Sequence, residues 1–285
     1  DIETMPRASI ERLQEARILQ LIPYVYRQSA LVRAVWDSAG VKPDDIRSLQ
    51  DFREKAPFIT KDDMRKFSEQ HEDPFCGLTC SGPPHLRGVG FTTGTTGDPT
   101  PIAHTDFSIT AAAIQRELWQ IGVRPNDYFG HMLFTFREGL LMDKFMDSGM
   151  IPLTLQHLPQ EVPHLVQLSR QYRPKALFML STPIIMVLDQ YQKKTGDDLR
   201  EAFSSYKGVV FGGEPLNPVF RALVESWGLE IFELSSLGDI TTAMECRAHS
   251  GLHTWEDLAL VEHLDPLGTA PMQNNQRGEL VVTSL

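Results

Sequence analysis

The stretch Gly208-Val209-Val210-Phe211-Gly212-Gly213-Glu214-Pro215-Leu216-Asn217-Pro218, followed by Glu230-Ile231-Phe232-Glu233-Leu234, decides the fold. The short apolar run 208–211 reads as a buried strand, and the glycine pair after it as a tight turn. Asn217 is a good N-cap, because its side-chain oxygen accepts an otherwise unpaired helix N–H. Pro218 then stands at the first helical position, where its fixed φ suits the helix and its missing N–H costs nothing. That helix runs to near Gly228, and residues 230–234 form the next strand. Strand, helix and strand in this order argue for parallel strands joined by a right-handed crossover.

The same alternation extends upstream. Val89-Gly90-Phe91 reads as a strand, Thr105 or Asp106 caps a helix through Ile121, and Asp127 to Phe134 holds another strand. A helix near Gly139 to Ser148 and a short extended Ile151-Pro152-Leu153 come next. Val162 to Tyr172 reads as helix, Ala176 to Leu180 as strand and Pro183 to Gln192 as helix. The first 85 or so residues look helical, with Ile10, Leu13, Leu21 and Ile22 in a loose helical period up to Pro23 and a second apolar stretch from Tyr24 to Val35. Thr60-Lys61-Asp62-Asp63 has the form of a capping box. Near the end, Leu258 to Leu264 and Glu279 to Leu285 are strand-like, as in an antiparallel appendage or small barrel. The expected organisation is a helical segment 1–85, an α/β core 86–245 and a β-rich appendage 246–285, all parts of one large domain.

Composition narrows the function classes. With 41% hydrophobic residues in 285, the chain has the material for a sizeable core, which excludes a disordered or fibrous protein. A net charge of −10 argues against non-specific binding to nucleic acid or an anionic membrane. No apolar run approaches the roughly 20 residues of a membrane span. The start shows no signal peptide, and the cysteines, Cys76, Cys80 and Cys246, are too few for a disulfide scaffold, so a cytoplasmic location is expected.

Four features carry chemistry. Phe91-Thr92-Thr93-Gly94-Thr95-Thr96-Gly97-Asp98 follows a strand, and its glycines let successive N–H groups turn towards one anion while threonine hydroxyls add donors. It is not a Walker A loop, since no Lys follows the second Gly. Gly212-Gly213-Glu214-Pro215 lies where open α/β sheets bind ligands. Phe232 to Ser236 is a further strand end with a ring to stack on a base and hydroxyls for phosphate. Cys246 and His253 offer a sulfur and an imidazole to zinc, two ligands of the four that a structural site needs. Alone, each reads better as an ordinary turn, a core Phe, or a buried thiol with a surface His.

Together, in this order, these segments resemble the adenylate-forming superfamily, specifically its phenylacetate–CoA ligase-like branch, from about Leu49 to Leu285. Phe91 to Thr100 resembles that family's Ser-Ser-Gly-Thr-Thr-Gly-Lys-Pro-Thr phosphate loop. Gly212 to Leu216 is similar to its Gly-Ala/Gly-Glu-Pro-Leu adenine segment, and Phe232 to Ser236 to its Tyr-Gly-Leu-Ser-Glu segment. Glu245-Cys246, Gly251-Leu252-His253 and Glu256-Asp257 match its Glu-Cys, Gly-X-His, Glu-Asp run. The resemblance implies the large N-terminal domain of an adenylate-forming enzyme. Mostly parallel sheets with flanking helices carry a small β appendage, and the mobile C-terminal domain is expected to be absent from this chain.

The implied activity is ATP- and Mg²⁺-dependent activation of an aromatic carboxylic acid as its acyl-adenylate, with transfer to a thiol such as coenzyme A. Specialised aromatic or antibiotic metabolism, with phenazine-type acids as one flat substrate class, is the implied setting, and a homodimer the implied assembly. Thr92, Thr93, Gly94, Thr95, Thr96 and Gly97 are implied to bind phosphate, and Gly212, Gly213, Glu214, Pro215, Phe232 and Ser235 the nucleotide. Phe129-Gly130-His131-Met132-Leu133-Phe134-Thr135 resembles the family's Tyr-Gly-Tyr-Gly-Leu-Phe-Thr stretch, making His131, Phe134, Phe136 and Arg137 the candidate acid pocket. The chain departs from the pattern where charge matters. Asp98 replaces the phosphate-loop Lys, and Ser236 replaces the Glu that helps hold Mg²⁺. Those two changes open an alternative, a non-catalytic binder of an aromatic acid or nucleotide.

Overall fold

The computed structural model describes residues 2–80, 86–91, 101–105, 109–133, 148–237, 240–266, 270–273 and 275–285. They fall into two compact units, Asp1–Ser108 with Glu256–Leu285, and Ile109–Trp255.

In the first unit the helices are α1 (Arg7–Gln28), α2 (Ala30–Ser38), α3 (Leu49–Lys55) and α4 (Lys61–His71). Ile10, Gln14, Ile18 and Ile22 recur every four residues and are buried along one stripe of α1. The helix does not stop at Pro23, as the sequence reading expected, but runs five residues further. A proline removes one backbone bond, yet Ile22 and Tyr26 on either side of it both pack into a core with Ile18, Trp36, Ile46, Leu49 and Leu260. That packing carries the helix past the missing bond. Ser29 caps α2, accepting from Val32 N–H at 3.2 Å and donating to Gly77 O at 2.7 Å. The capping box at α4 is present: Thr60 Oγ1 accepts from Asp63 N–H at 3.2 Å, and Asp63 Oδ2 accepts from Thr60 N–H at 2.9 Å. Two antiparallel pairs complete the unit, β1 (Leu86–Phe91) with β2 (Pro101–Thr105), and β10 (Ala259–Leu264) with β11 (Glu279–Ser284).

The second unit is a seven-stranded sheet in the order β4-β3-β5-β6-β7-β8-β9. Its strands are β3 (Tyr128–Leu133), β4 (Ile151–Gln156), β5 (Ala176–Leu180), β6 (Gly208–Gly212), β7 (Ile231–Leu237), β8 (Thr241–Glu245) and β9 (Leu252–Thr254). The pairs from β4 to β7 are parallel, and β7/β8 and β8/β9 are antiparallel. The strand–helix–strand expectation therefore holds through the middle of the chain, and the sheet gains two antiparallel strands at β8 and β9.

Helices cover both faces. Val209, Phe211 and Ile231 pack with α6 (Val162–Tyr172), α7 (Thr182–Thr195), α8 (Leu199–Ala202) and α9 (Pro218–Ser226). Val210, Phe232 and Leu234 pack with Ile114, Leu118 and Ile121 of α5 (Ile109–Ile121). Residues alternate between faces because successive strand side chains do, and burial on both sides explains why β5 and β6 are continuous apolar runs. The expected start of α5 at Thr105 or Asp106 and the expected helix over 139–148 rest largely outside the described residues. Among the described residues no helix is long and apolar enough to cross a membrane.

Gly208 marks close packing between the sheet and α5. A Cβ there would lie 2.7 Å from the Phe232 ring and 3.1 Å from Ile121 Cγ2. Overpacking of this kind costs about 1–3 kcal/mol. Gly208→Ala is expected to lower the unfolding free energy by that amount, seen as a lower urea midpoint with an unchanged slope; an unchanged midpoint would show that the ring can move aside.

Candidate functional site

The carboxyl ends of parallel strands form the ligand-binding edge of an open α/β sheet. Here β6 ends in Gly212-Gly213-Glu214-Pro215, between the ends of β5 and β7. Both glycines are required by geometry. A Cβ on Gly212 would meet Met179 Cε at 2.8 Å and Leu234 O at 3.1 Å, whereas Gly213 has φ +92° with open space where a side chain would be. The chain therefore turns sharply off the strand and leaves bare backbone at the edge.

The turn is held from both sides. Glu214 Oε1 accepts the N–H of Thr182, the first residue of α7, at 3.2 Å. A carboxylate there also meets the positive end of the helix dipole. Glu233 Oε1, from β7, accepts from Leu216 N–H at 3.3 Å. Leu216 packs onto the core, and Asn217 Oδ1 accepts from Val219 N–H at 2.8 Å, the cap expected from the sequence. Pro215 and Glu214 are exposed.

Beneath the turn lies a charged network that sequence reasoning missed. Arg221 of α9 reaches both oxygens of Glu245 at 2.9 Å, and Glu233 N–H donates to Glu245 Oε2 at 2.9 Å. His249 Nδ1 lies 3.2 Å from the same carboxylate and its Nε2 lies 3.3 Å from Glu230. Burial pushes the Glu245 carboxyl up, but Arg221, the Glu233 N–H and His249 outweigh it and hold the group below the usual carboxylate range. Glu245 thus fixes the backbone of Glu233, whose side chain fixes Leu216 and the glycine turn. The only sequence signal was the Glu245-Cys246 pair, read for its sulfur.

The remaining expected site residues divide. Ser235 is half-buried and Ser236 exposed at the end of β7, one and two residues beyond the rung Gly212–Leu234. Phe232 is not brought to the edge. It pairs with Val210, two residues short of Gly212, and is wholly buried, with His249 at 5.2 Å and the Arg247 guanidinium 5.9 Å from its ring. The pairing register puts the ring in the core against α5. His131 is likewise buried, its ring centroid 6.1 Å from Phe129 and 5.6 Å from Phe178. Phe134, Phe136 and Arg137, and the loop Thr92, Thr93, Gly94, Thr95, Thr96 and Gly97 with Asp98, lie outside the described residues. The zinc expectation is not supported: among the described residues no three His, Cys, Asp or Glu side chains form a group that could hold a metal ion, and His253 is exposed on the edge strand β9 while Cys246 Sγ accepts from Ala248 N–H at 3.4 Å.

Comparison with known proteins agrees with this architecture. No family model matches the chain. The phenylacetate–coenzyme A ligase of Thermus thermophilus is 30% identical over 299 aligned residues, and that of Escherichia coli 28% over 296, each alignment covering the whole chain. The chain spans 64% and 65% of the length of those relatives. A 2-hydroxyisobutyryl-CoA ligase, solved in an open conformation with 2-HIB-AMP and CoA, superposes with a TM-score of 0.83 at 24% identity, over 99% of this chain and 67% of that one. The o-succinylbenzoate coenzyme A synthetase of Bacillus subtilis, solved with AMP, superposes with a TM-score of 0.56 at 15% identity over 71% of this chain and 51% of that one. The chain is thus similar along its whole length to phenylacetate–coenzyme A ligases and has the fold of the N-terminal domain of adenylate-forming enzymes.

Proposed function

We propose that the chain is the large domain of an acid–CoA ligase that activates an aromatic carboxylic acid with ATP. The observation that carries the reading is the coincidence of two facts: similarity along the whole of this chain to about two thirds of two CoA ligases, and a glycine turn of bare backbone at the carboxyl edge of the sheet. ATP supplies an electrophilic α-phosphorus. A carboxylate oxygen of the acid attacks it, pyrophosphate leaves with the electrons of the broken P–O bond, and the resulting mixed anhydride gives the acid a reactive carbonyl. A thiol such as coenzyme A then displaces AMP.

The chain's own residues bind and orient. Gly212 and Gly213 present backbone to the purine, with Glu214 and Glu233 holding their turn. Ser235 and Ser236 offer hydroxyls at the end of β7. Ser236 would offer Mg²⁺ one neutral oxygen, a weaker ligand for a hard cation than a carboxylate. The loop 92–97 supplies phosphate donors, and His131, Phe134, Phe136 and Arg137 shape the acid pocket. Flat acids of the phenazine class, and a role in antibiotic metabolism, remain part of this proposal. Incubating the full-length protein with ATP, Mg²⁺, CoA and a panel of aryl and aryl-acetic acids is expected to yield acyl-AMP and a CoA thioester by mass spectrometry. Absence of both products across the panel would contradict it.

Buried Phe232 and the neutral Ser236 favour a second reading, a binder of an aromatic acid or nucleotide without turnover. It predicts heat of binding in calorimetry with no AMP released.

A further inference from the structure

A carboxyl group lies under the β7–β8 hairpin with, among the described residues, no ion paired to it. Glu117 of α5 is 0% exposed, and Thr242 of β8, 3% exposed, donates from Oγ1 to its Oε1 at 2.5 Å. The indole N–H of Trp255, at the end of the unit, is a further polar neighbour short of a full hydrogen bond. The charged and titratable groups on the surrounding elements have other engagements. Arg116, next on α5, stacks over the Trp255 ring at 5.7 Å. Glu245, three residues along β8 and on the opposite face, is paired with Arg221. His131 of β3 lies between Phe129 and Phe178, and Arg247 donates to Ile121 O at 3.1 Å. Burial without a counter-ion pushes the Glu117 carboxyl up to about 7, against the pull of Thr242 and Trp255.

Thr242 stands directly across from Ser236 in the β7–β8 ladder. Paired residues of an antiparallel ladder emerge on one face, so Ser236 and Thr242 are neighbours on the face that α5 covers. The same strand, two residues earlier, pairs Leu234 with Gly212. A path therefore runs from Glu117 through its hydrogen bond to Thr242, and through the Thr242–Ser236 ladder pair, to the end of β7 beside the glycine turn.

We propose that Glu117 is a positioning residue for the candidate site: in its neutral form it holds Thr242, and through the Thr242–Ser236 rung keeps the end of β7 in register with the Gly212-Gly213 turn. Loss of its proton puts an unpaired charge beneath β8 and loosens the hairpin. The proposal rests on the acid-activating reading only for what the hairpin binds.

Hydrogen–deuterium exchange at pH 6 and pH 8 tests it, comparing wild type with Glu117→Gln, which keeps a hydrogen-bonding amide but has no proton to lose. Intrinsic exchange accelerates equally in both proteins, so protection factors are compared. In wild type, protection of Leu234–Leu237 and Thr241–Met244 is expected to fall at least tenfold further between the two pH values than in the variant. Parallel changes would overturn the proposal. If the Gln variant does not fold, Glu117→Met replaces it, since a thioether chain fills similar space with nothing to titrate.

A second readout separates positioning from bulk stability. Calorimetric affinity for ATP with Mg²⁺, measured well below the unfolding temperature, is expected to weaken at least threefold from pH 6 to pH 8 in wild type and to stay flat in the variant; identical pH profiles would overturn the positioning role. Should neither protein bind ATP at either pH, the acid-activating reading fails, and the exchange comparison alone decides the proposal.

Discussion

Replacing Glu245 by alanine is expected to cost the fold about 3 kcal/mol, because it strips a partly buried Arg221 of its bidentate partner, and breaking such a pair from one side costs about 3–5 kcal/mol when burial is complete. Arg221 retains 24% side-chain exposure against 7% for Glu245, which places the loss at the lower end. The same change releases Glu233 N–H and a contact to His249. At about 2–4 °C per kcal/mol for domains of this general size, the melting temperature should drop by roughly 10 °C. The contribution has a defined pH window. Glu245 is held below its ordinary value, so its stabilisation is present above about 4.5 and is lost as pH falls through the folded-state value. Urea unfolding of wild type and Glu245→Ala should therefore differ at pH 7 and converge in acid. Equal stability at pH 7 would show that the network is surface decoration.

The second large effect has the opposite sign. Glu117 is raised from 4.5 to about 7, so the folded state keeps a proton that the unfolded chain releases. Its stabilising contribution is complete below about 4.5 and declines as pH rises, until it is gone once pH passes the folded value near 7. At about 1.4 kcal/mol per pH unit of displacement, the wild type should lose roughly 3 kcal/mol relative to Glu117→Gln between pH 4.5 and pH 8. The difference between the two unfolding curves is the quantity to follow, since other groups titrate alike in both. Curves that stay parallel would mean that Glu117 is ionised and paired in the fold.

These two carboxylates also show where sequence stops being informative. The β6–α9–β7 unit was legible because each part has a local cause: an apolar run, a glycine turn, and Asn217 ahead of Pro218. The strand β8, Thr241-Thr242-Ala243-Met244-Glu245, was not, because its polar residues suggest a solvated segment. All five are buried, and Thr242 and Glu245 are satisfied by Glu117 and Arg221, which lie 125 and 24 residues away along the chain. Long-range partners of this kind leave no local pattern. Pro23 misled for a related reason, since tertiary packing of Ile22 and Tyr26 outweighs one lost backbone bond.

Phe232 is placed by a different kind of information. Its place beside the glycine turn was implied by motif order, whereas its actual level in the sheet is set by pairing register, which only the ladder with β6 reveals. A strand's residues are separated along its axis by roughly 3.3 Å, so a two-residue offset moves a ring by more than its own width. The glycine turn itself was correctly located because its requirement is steric: Met179 and the Leu234 carbonyl leave no room for a Cβ at Gly212.

The central claim is that this fold activates an acid. It is tested most directly by acid-dependent exchange of labelled pyrophosphate into ATP, using the full-length protein with Mg²⁺ and the aryl and aryl-acetic acid panel. The account predicts label in ATP above the acid-free background for at least one member of the panel. Label no higher than that background for every acid, from protein shown to be folded, would contradict it.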